Sequence, residues 1–432
     1  MAELIYNEQG RLLFTEEMKN EYTILVPQMA PFHFEFLVEA LHQEGYKATL
    51  LSNFNDQIKQ LGVKYVHNDT CYPAILVIGQ LLDAIINGDH DPKKIAVIMT
   101  QTGGGCRASN YIHLLRSALE KSGYGYIPVV SLSPSKIESN PGFMLPLRFW
   151  IKALWSVFYG DILQQLYNEI KPYEINTGSV DRMASDWTER IVQTFKTERI
   201  YTFKKVLNNL KELIADFSTI PRNESSLIKV GIVGEIYVKY SSLGNNNLED
   251  FLRSENVEVV IPPLLDFVLF KLDYRGLEVD LYGGKKIKKR LVEFAISIVE
   301  NYRSKINIQL KKHHFRQATS YKELKGFVKD IIGYGNRMGE GWLLTAEMFE
   351  LIHIGAPNII CTQPFGCLPN HISGKGVVNA IKKRHPFSNI VPIDYDPGAS
   401  DVNQKNRIKL MLAIAKDEVH QHSESIVSVK AK

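Results

Sequence analysis

Short apolar runs rich in valine, isoleucine and leucine, each followed by a turn and a helix-length stretch, constrain this chain more than any other feature. They read YTILVPQ from Tyr22, ATLL from Ala48, KIAVIMT from Lys94, YIPVVSL from Tyr126, LIKVGIVGEIYV from Leu227, VEVVIPPLLDF from Val257, NIICTQ from Asn358 and NIVPIDY from Asn389. Continuous apolar strands are those of a sheet covered on both faces. Strands that alternate with helices make that sheet parallel, so the fold class is α/β. A further short strand is expected at KYV, breaking into a loop at His67. Between Pro141 and Arg222 the pattern changes to helical spacing only, in FWIKALWSVFYGDILQQLYNEI and WTERIVQTFKTERIYTFKKVLNNLKELIADF. Pro221 helps to end that stretch. Three parts follow: a first α/β lobe over 1–140, a helical insertion over 141–226 and a second α/β lobe over 227–432.

Charge and composition narrow the function classes. Lys+Arg is 51 and Asp+Glu 47, a formal net charge of +4 over 432 residues. Binding dominated by a broad cationic surface is thereby excluded, and no nucleic-acid partner is expected. No apolar run reaches about 18 residues, so no membrane span is expected. The first residues lack the apolar core of a signal peptide, which points to the cytoplasm.

Four cysteines, Cys71, Cys106, Cys361 and Cys367, are too few for a disulfide scaffold. No C-x-x-C pair supports a zinc ribbon. Cys71 in NDTCYP, Cys106 in TGGGCRASN and Cys367 in QPFGCLPNH each read as a residue between a strand and a helix. Loops at the carboxyl ends of parallel strands line the ligand crevice of open α/β sheets. Three thiols in such loops can converge on one anionic group held by backbone N–H groups, and a [4Fe–4S] core is such a group. Gly103, Gly104 and Gly105 let backbone approach a bulky cluster. Cys361 lies inside an apolar strand and reads as core.

Other motifs compete. Gly103, Gly105 and Ala108 form G-x-G-x-x-A after a strand, as a dinucleotide or CoA phosphate site would. The following strand, however, carries no acidic residue at its end for a ribose. Glu340 and Glu347 in GYGNRMGEGWLLTAEM read first as solvated charges of a loop and the helix after it. The run Lys285 to Arg290 reads as a solvated helix face, with docking to an acidic partner or a CoA phosphate as the lesser reading. A scaffold that docks an ATPase through the helical insertion is the third reading.

NDTCYPAILVIGQLL, QTGGGCRASNYIHLLRSAL, VGEIYV and QPFGCLPNHISGKGVV resemble the 2-hydroxyacyl-CoA dehydratase and CoA-enzyme activase-related superfamily. The likeness runs over roughly residues 22 to 415, and is greatest to the region that follows the ATPase modules of large activase proteins. It implies two Rossmann-like (flavodoxin-like) lobes with a helical part and an iron–sulfur cluster between lobes. Matched motif to motif, it implies Cys71, Cys106 and Cys367 as ligands of one [4Fe–4S] cluster. It further implies a separate ATP-hydrolysing activase as partner, because this chain shows no phosphate loops of its own. The chain would then be a reductase or dehydratase component acting on an acyl-CoA or another small molecule, with room for a dimer. Thr70, Tyr72, Arg107 and His371 are the side chains expected to tune such a cluster, Arg107 by offsetting its charge.

Overall fold

The computed structural model describes residues 2–101, 104–133, 137–198 and 201–430, the last of these from 418 onward by backbone only. The chain divides into two compact units. The first holds residues 1–164, 181–213 and 240–244, and the second 165–180, 214–239 and 245–432.

In the first unit the elements run α1 (Glu16–Glu21), β1 (Thr23–Val26), α2 (Pro31–His42), β2 (Lys47–Leu50), α3 (Asp56–Tyr65), α4 (Tyr72–Ile86), β3 (Ile95–Thr100), α5 (Tyr111–Lys121) and β4 (Val129–Leu132). All pairings are parallel, in the order β2-β1-β3-β4. The chain leaves β1 towards one edge and returns at β3 on its other side. The carboxyl ends of β1 and β3 therefore form the switch point at which such sheets bind ligands. Ile24, Val26, Ala96, Ile98 and Val130 of the strands pack with Val38 and Leu41 of α2 in the core.

The expected strand at KYV is instead the end of α3. Asn55 caps that helix, its side-chain oxygen accepting from Ile58 N at 3.1 Å. The helix then packs tightly on α4. A Cβ on Gly62 would sit 2.1 Å from the Ile75 carbonyl oxygen, and one on Gly79 would sit 2.1 Å from that of Ile58. Two glycines thus set the helix–helix approach, and this long-range contact overrides the strand preference of Tyr65 and Val66. Cys71 consequently lies between two helices and not at a strand end.

Three long helices follow: α6 (Leu147–Ile170), α7 (Ser179–Thr197) and α8 (Phe203–Ser218). Each is divided between the two units. Their part in the first unit covers α2: Phe36 meets Tyr159 and Phe195 with ring centroids 6.1 and 6.3 Å apart, and His33 Nε2 is 2.9 Å from Asp161 Oδ1.

The second unit repeats the parallel arrangement. It runs β5 (Ile228–Gly234), α9 (Ile236–Tyr240), α10 (Ser242–Asn245), α11 (Leu248–Ser254), β6 (Val257–Val260), α12 (Leu264–Tyr282), α13 (Lys286–Lys312), α14 (Tyr321–Phe327), α15 (Trp342–His353), β7 (Asn358–Pro364), α16 (Leu368–Ser373), α17 (Val378–Arg384), β8 (Asn389–Tyr395) and α18 (Asp401–Lys430), with a few residues of α9 and α10 counted in the first unit. The order is β6-β5-β7-β8 and all pairings are parallel, so the ends of β5 and β7 form its switch point. Two strands are shorter than their apolar runs. β5 stops at Gly234, and β6 stops before Pro262 and Pro263, the latter capping α12. Proline supplies no N–H to a ladder and suits a helix start. The chain is thus α/β with two separate four-stranded parallel sheets, as the alternation of strands and helices implies. No described helix is long and apolar enough to cross a membrane.

Candidate metal centre

β3 delivers the chain to the loop that holds Cys106. Gly103 lies outside the described residues, and a Cβ on Gly104 would meet nothing within 4 Å. Cys106 is half-buried and directly precedes a short 3-10 helix, Arg107–Asn110, that leads into α5. Cys71 is buried and directly precedes α4. Two side chains join their surroundings. Tyr111, the first residue of α5, donates its hydroxyl to Cys71 Sγ at 3.2 Å. Arg107 donates from Nη1 to the Asp69 carbonyl at 2.9 Å, two residues before Cys71. The Tyr111 hydroxyl thus meets the Cys71 sulfur itself, while Arg107 ties the Cys106 helix to the loop before Cys71. Thr70 and Tyr72, on either side of Cys71, are both buried.

In the second unit β7 ends at the loop that holds Cys367. Gly366 takes φ +73°, a left-handed turn that places Cys367 directly before α16. Cys367 is buried, while its neighbours Phe365 and Leu368 are exposed. His371 contacts the Gln363 carboxamide. Two fully buried acceptors at this place, Gln363 Oε1 and Asn370 Oδ1, have no protein partner. Both carboxamide nitrogens are engaged, Asn370 Nδ2 with Glu340 and Gln363 Nε2 with His371, so what each residue leaves over is an acceptor. Cys361 behaves as core. It stands in mid-β7 between Val233 and Pro392, wholly buried. Burial first, then the carboxylates of Glu347, Asp394 and Glu340, push its thiol up to about 12.

The same unit holds an acidic interior that sequence reasoning missed. Glu340 and Glu347, expected to be solvated, are buried, as are Glu350 and Asp266. Glu340 accepts from Ile236 N at 3.0 Å and from Asn370 Nδ2 at 3.2 Å. Glu235, at the end of β5, is raised well above the carboxylate range by burial and then by Glu340. Glu347 Oε1 is 2.9 Å from Lys239 Nζ. Burial nonetheless holds Glu347 at about 7, with Asp266 and Glu340 adding to the shift and Lys239 opposing it. Glu350 is raised by burial and then by Asp266, whose Oδ1 is 2.5 Å from Arg303 Nη2. The signal available in the sequence was the pairing of VGEIYV with a glycine-rich stretch carrying Glu340.

Among the described residues, no three or more His, Cys, Asp or Glu side chains are grouped so as to hold a metal ion. Cys71 and Cys106 belong to the first unit and Cys367 to the second. No family model and no curated protein matches the chain.

Proposed function

We propose that this chain is an iron–sulfur protein that holds one [4Fe–4S] cluster through Cys71, Cys106 and Cys367. It would act in ATP-driven, low-potential electron transfer or reduction with a separate ATP-hydrolysing activase, in the cytoplasm. The observation that carries this reading is the bond from the Tyr111 hydroxyl to Cys71 Sγ, beside the Arg107 bridge from the Cys106 helix to the Cys71 loop. A cysteine that serves only as a small buried hydrophobe has no need of the Tyr111 donor.

When bound, such a cluster takes up and passes on single electrons. The residues of the chain then have separate tasks. Arg107 and the backbone N–H groups ahead of α4 and α16 balance negative charge. Tyr111 orients Cys71. Phe365 and Leu368, exposed beside Cys367, are placed to meet a partner or an acyl-CoA substrate. Three thiolates leave a fourth iron position for water or substrate.

Anaerobic purification tests the reading. Brown protein is expected, with iron and acid-labile sulfide near four each per chain. Cys106→Ala should lose the iron, whereas Cys361→Ala should keep it. Colourless protein after anaerobic reconstitution with iron and sulfide would sink the proposal, and loss of iron from the Cys361 variant would overturn the ligand set.

A further inference from the structure

The hairpin of α12 and α13 presents a surface that the cluster reading does not use. Along α13, Ile287, Leu291 and Phe294 are 58%, 62% and 64% exposed, and Ile298 follows at 37%. Their spacing of four, three and four residues puts them on one stripe of the helix. The stripe borders a groove of about 690 Å³ between α12 and α13, walled by Leu272, Val279, Ile287, Leu291, Val292 and Ala295, with Arg275, Lys285 and Lys288 also lining it. A helix of an isolated protein turns its apolar stripe inward. Here the inward face is a different one, Val292, Val299, Ile306 and Leu310. The exposed stripe is therefore a second apolar face.

Charge indicates what covers it. The acids of the hairpin already have basic partners: Lys288 is 3.3 Å from Glu278, Lys289 is 2.7 Å from Asp280 and 3.8 Å from Glu293. Lys285, Lys286 and Arg290 are exposed, and among the described residues no carboxylate pairs with them. Lys286 and Arg290 are four residues apart and flank the stripe on one edge. We infer that the α12–α13 hairpin is a docking surface for an amphipathic helix of a partner protein, with an apolar seam and acidic residues along its flank. A helix laid in a groove is read by anchors at this spacing.

A second copy of this chain fits less well. Parallel pairing of two α13 stripes sets their cationic ends side by side. Antiparallel pairing centred between Leu291 and Phe294 sets Ser297 across from Arg290, so that cation gains no acid. An anionic bilayer fits less well too, because Glu278 lines the groove among the cations and the apolar surface is grooved.

The test uses the full chain and two synthetic helices of about 21 residues, both with leucine at the seam. One carries glutamate on its flanks and the other lysine. Fluorescence anisotropy should show the glutamate helix binding at least about tenfold tighter than the lysine helix, and weakening with salt. Leu291→Asp with Phe294→Asp should abolish binding while circular dichroism is unchanged. Reversal of charge by Lys285→Glu, Lys286→Glu and Arg290→Glu should exchange the preference to the lysine helix. Equal binding of the two helices, or none, would overturn the inference. So would binding to phosphatidylserine vesicles without binding to the glutamate helix, or a dimer in sedimentation that the Leu291 and Phe294 changes dissolve.

Discussion

Glu347 is pulled two ways, towards its neutral form by burial and towards its charged form by Lys239 at 2.9 Å. Its folded pKa of about 7 lies above the ordinary value of 4.5. A raised carboxyl contributes stability that is fully present below the unfolded pKa and is lost as pH rises through the folded one. The unfolding free energy should therefore fall between about pH 4.5 and 7, by an amount on the order of 3 kcal/mol. Glu347→Gln should make that slope shallower, with Glu235 and Glu350 supplying what remains, and it should also lower stability at neutral pH because Lys239 is left buried without a counter-charge. Denaturant titrations at stepped pH would show an undiminished slope in the variant if Glu347 were not the group. At the proposed centre, Tyr111→Phe removes one hydroxyl and nothing else. The donor on Cys71 Sγ stabilises the more negative state, so its loss should lower the midpoint potential of the bound cluster while iron content stays the same. A potentiometric titration followed by electron paramagnetic resonance reads that difference, and an unchanged potential would detach Tyr111 from the site.

At the scale of elements, α3 and α4 show where local preference gives way. Gly79→Ala in mid-α4 would gain roughly 1 kcal/mol of helix propensity. The added Cβ, however, would meet the Ile58 carbonyl at 2.1 Å, and backbone cannot step aside as a side chain can. Overpacking of that kind costs about 3 kcal/mol, so the variant should be the less stable, with a lower thermal midpoint. A rise would mean that the two helices can separate cheaply. The same pair explains what could be read in advance. The strands of both sheets were legible because their apolar runs end at glycine, proline or a polar turn. The positions of Cys106 and Cys367 were legible for the same reason. The surroundings of Cys71 were not, because Tyr65 and Val66 look like strand residues until Gly62 meets α4. The acidic interior was hidden too. Glu347 and Glu350 lie on α15, whose residues from Trp342 to Ile352 are all buried, and the cation facing Glu347 is 108 residues away. Nothing local marks a glutamate as one that has such a distant partner.

At the scale of the whole molecule, neither unit is a continuous piece of chain. The first needs residues 181–213 as well as 1–164. Lys152 Nζ bonds the Phe195 carbonyl at 3.1 Å, Trp155 Nε1 bonds the Tyr201 carbonyl at 2.9 Å, and Tyr159 stacks on Tyr201. A fragment ending at Gln164 would lose all of these and expose Phe36. It should show helical far-ultraviolet circular dichroism but little near-ultraviolet signal, and should be cut rapidly by protease. A fragment with native-like near-ultraviolet dichroism would show that the first sheet is self-sufficient.

The interleaving also sets a clock on biosynthesis. The last segment of the first unit ends at residue 244, which is 244 − 164 = 80 residues beyond the end of its first segment. At 5–20 residues per second, a ribosome takes about 4–16 s to make that difference. For that interval the apolar faces of α2 and α6 wait uncovered on the nascent chain, so this protein should need a holding chaperone during translation more than a chain of equal length built from two consecutive domains.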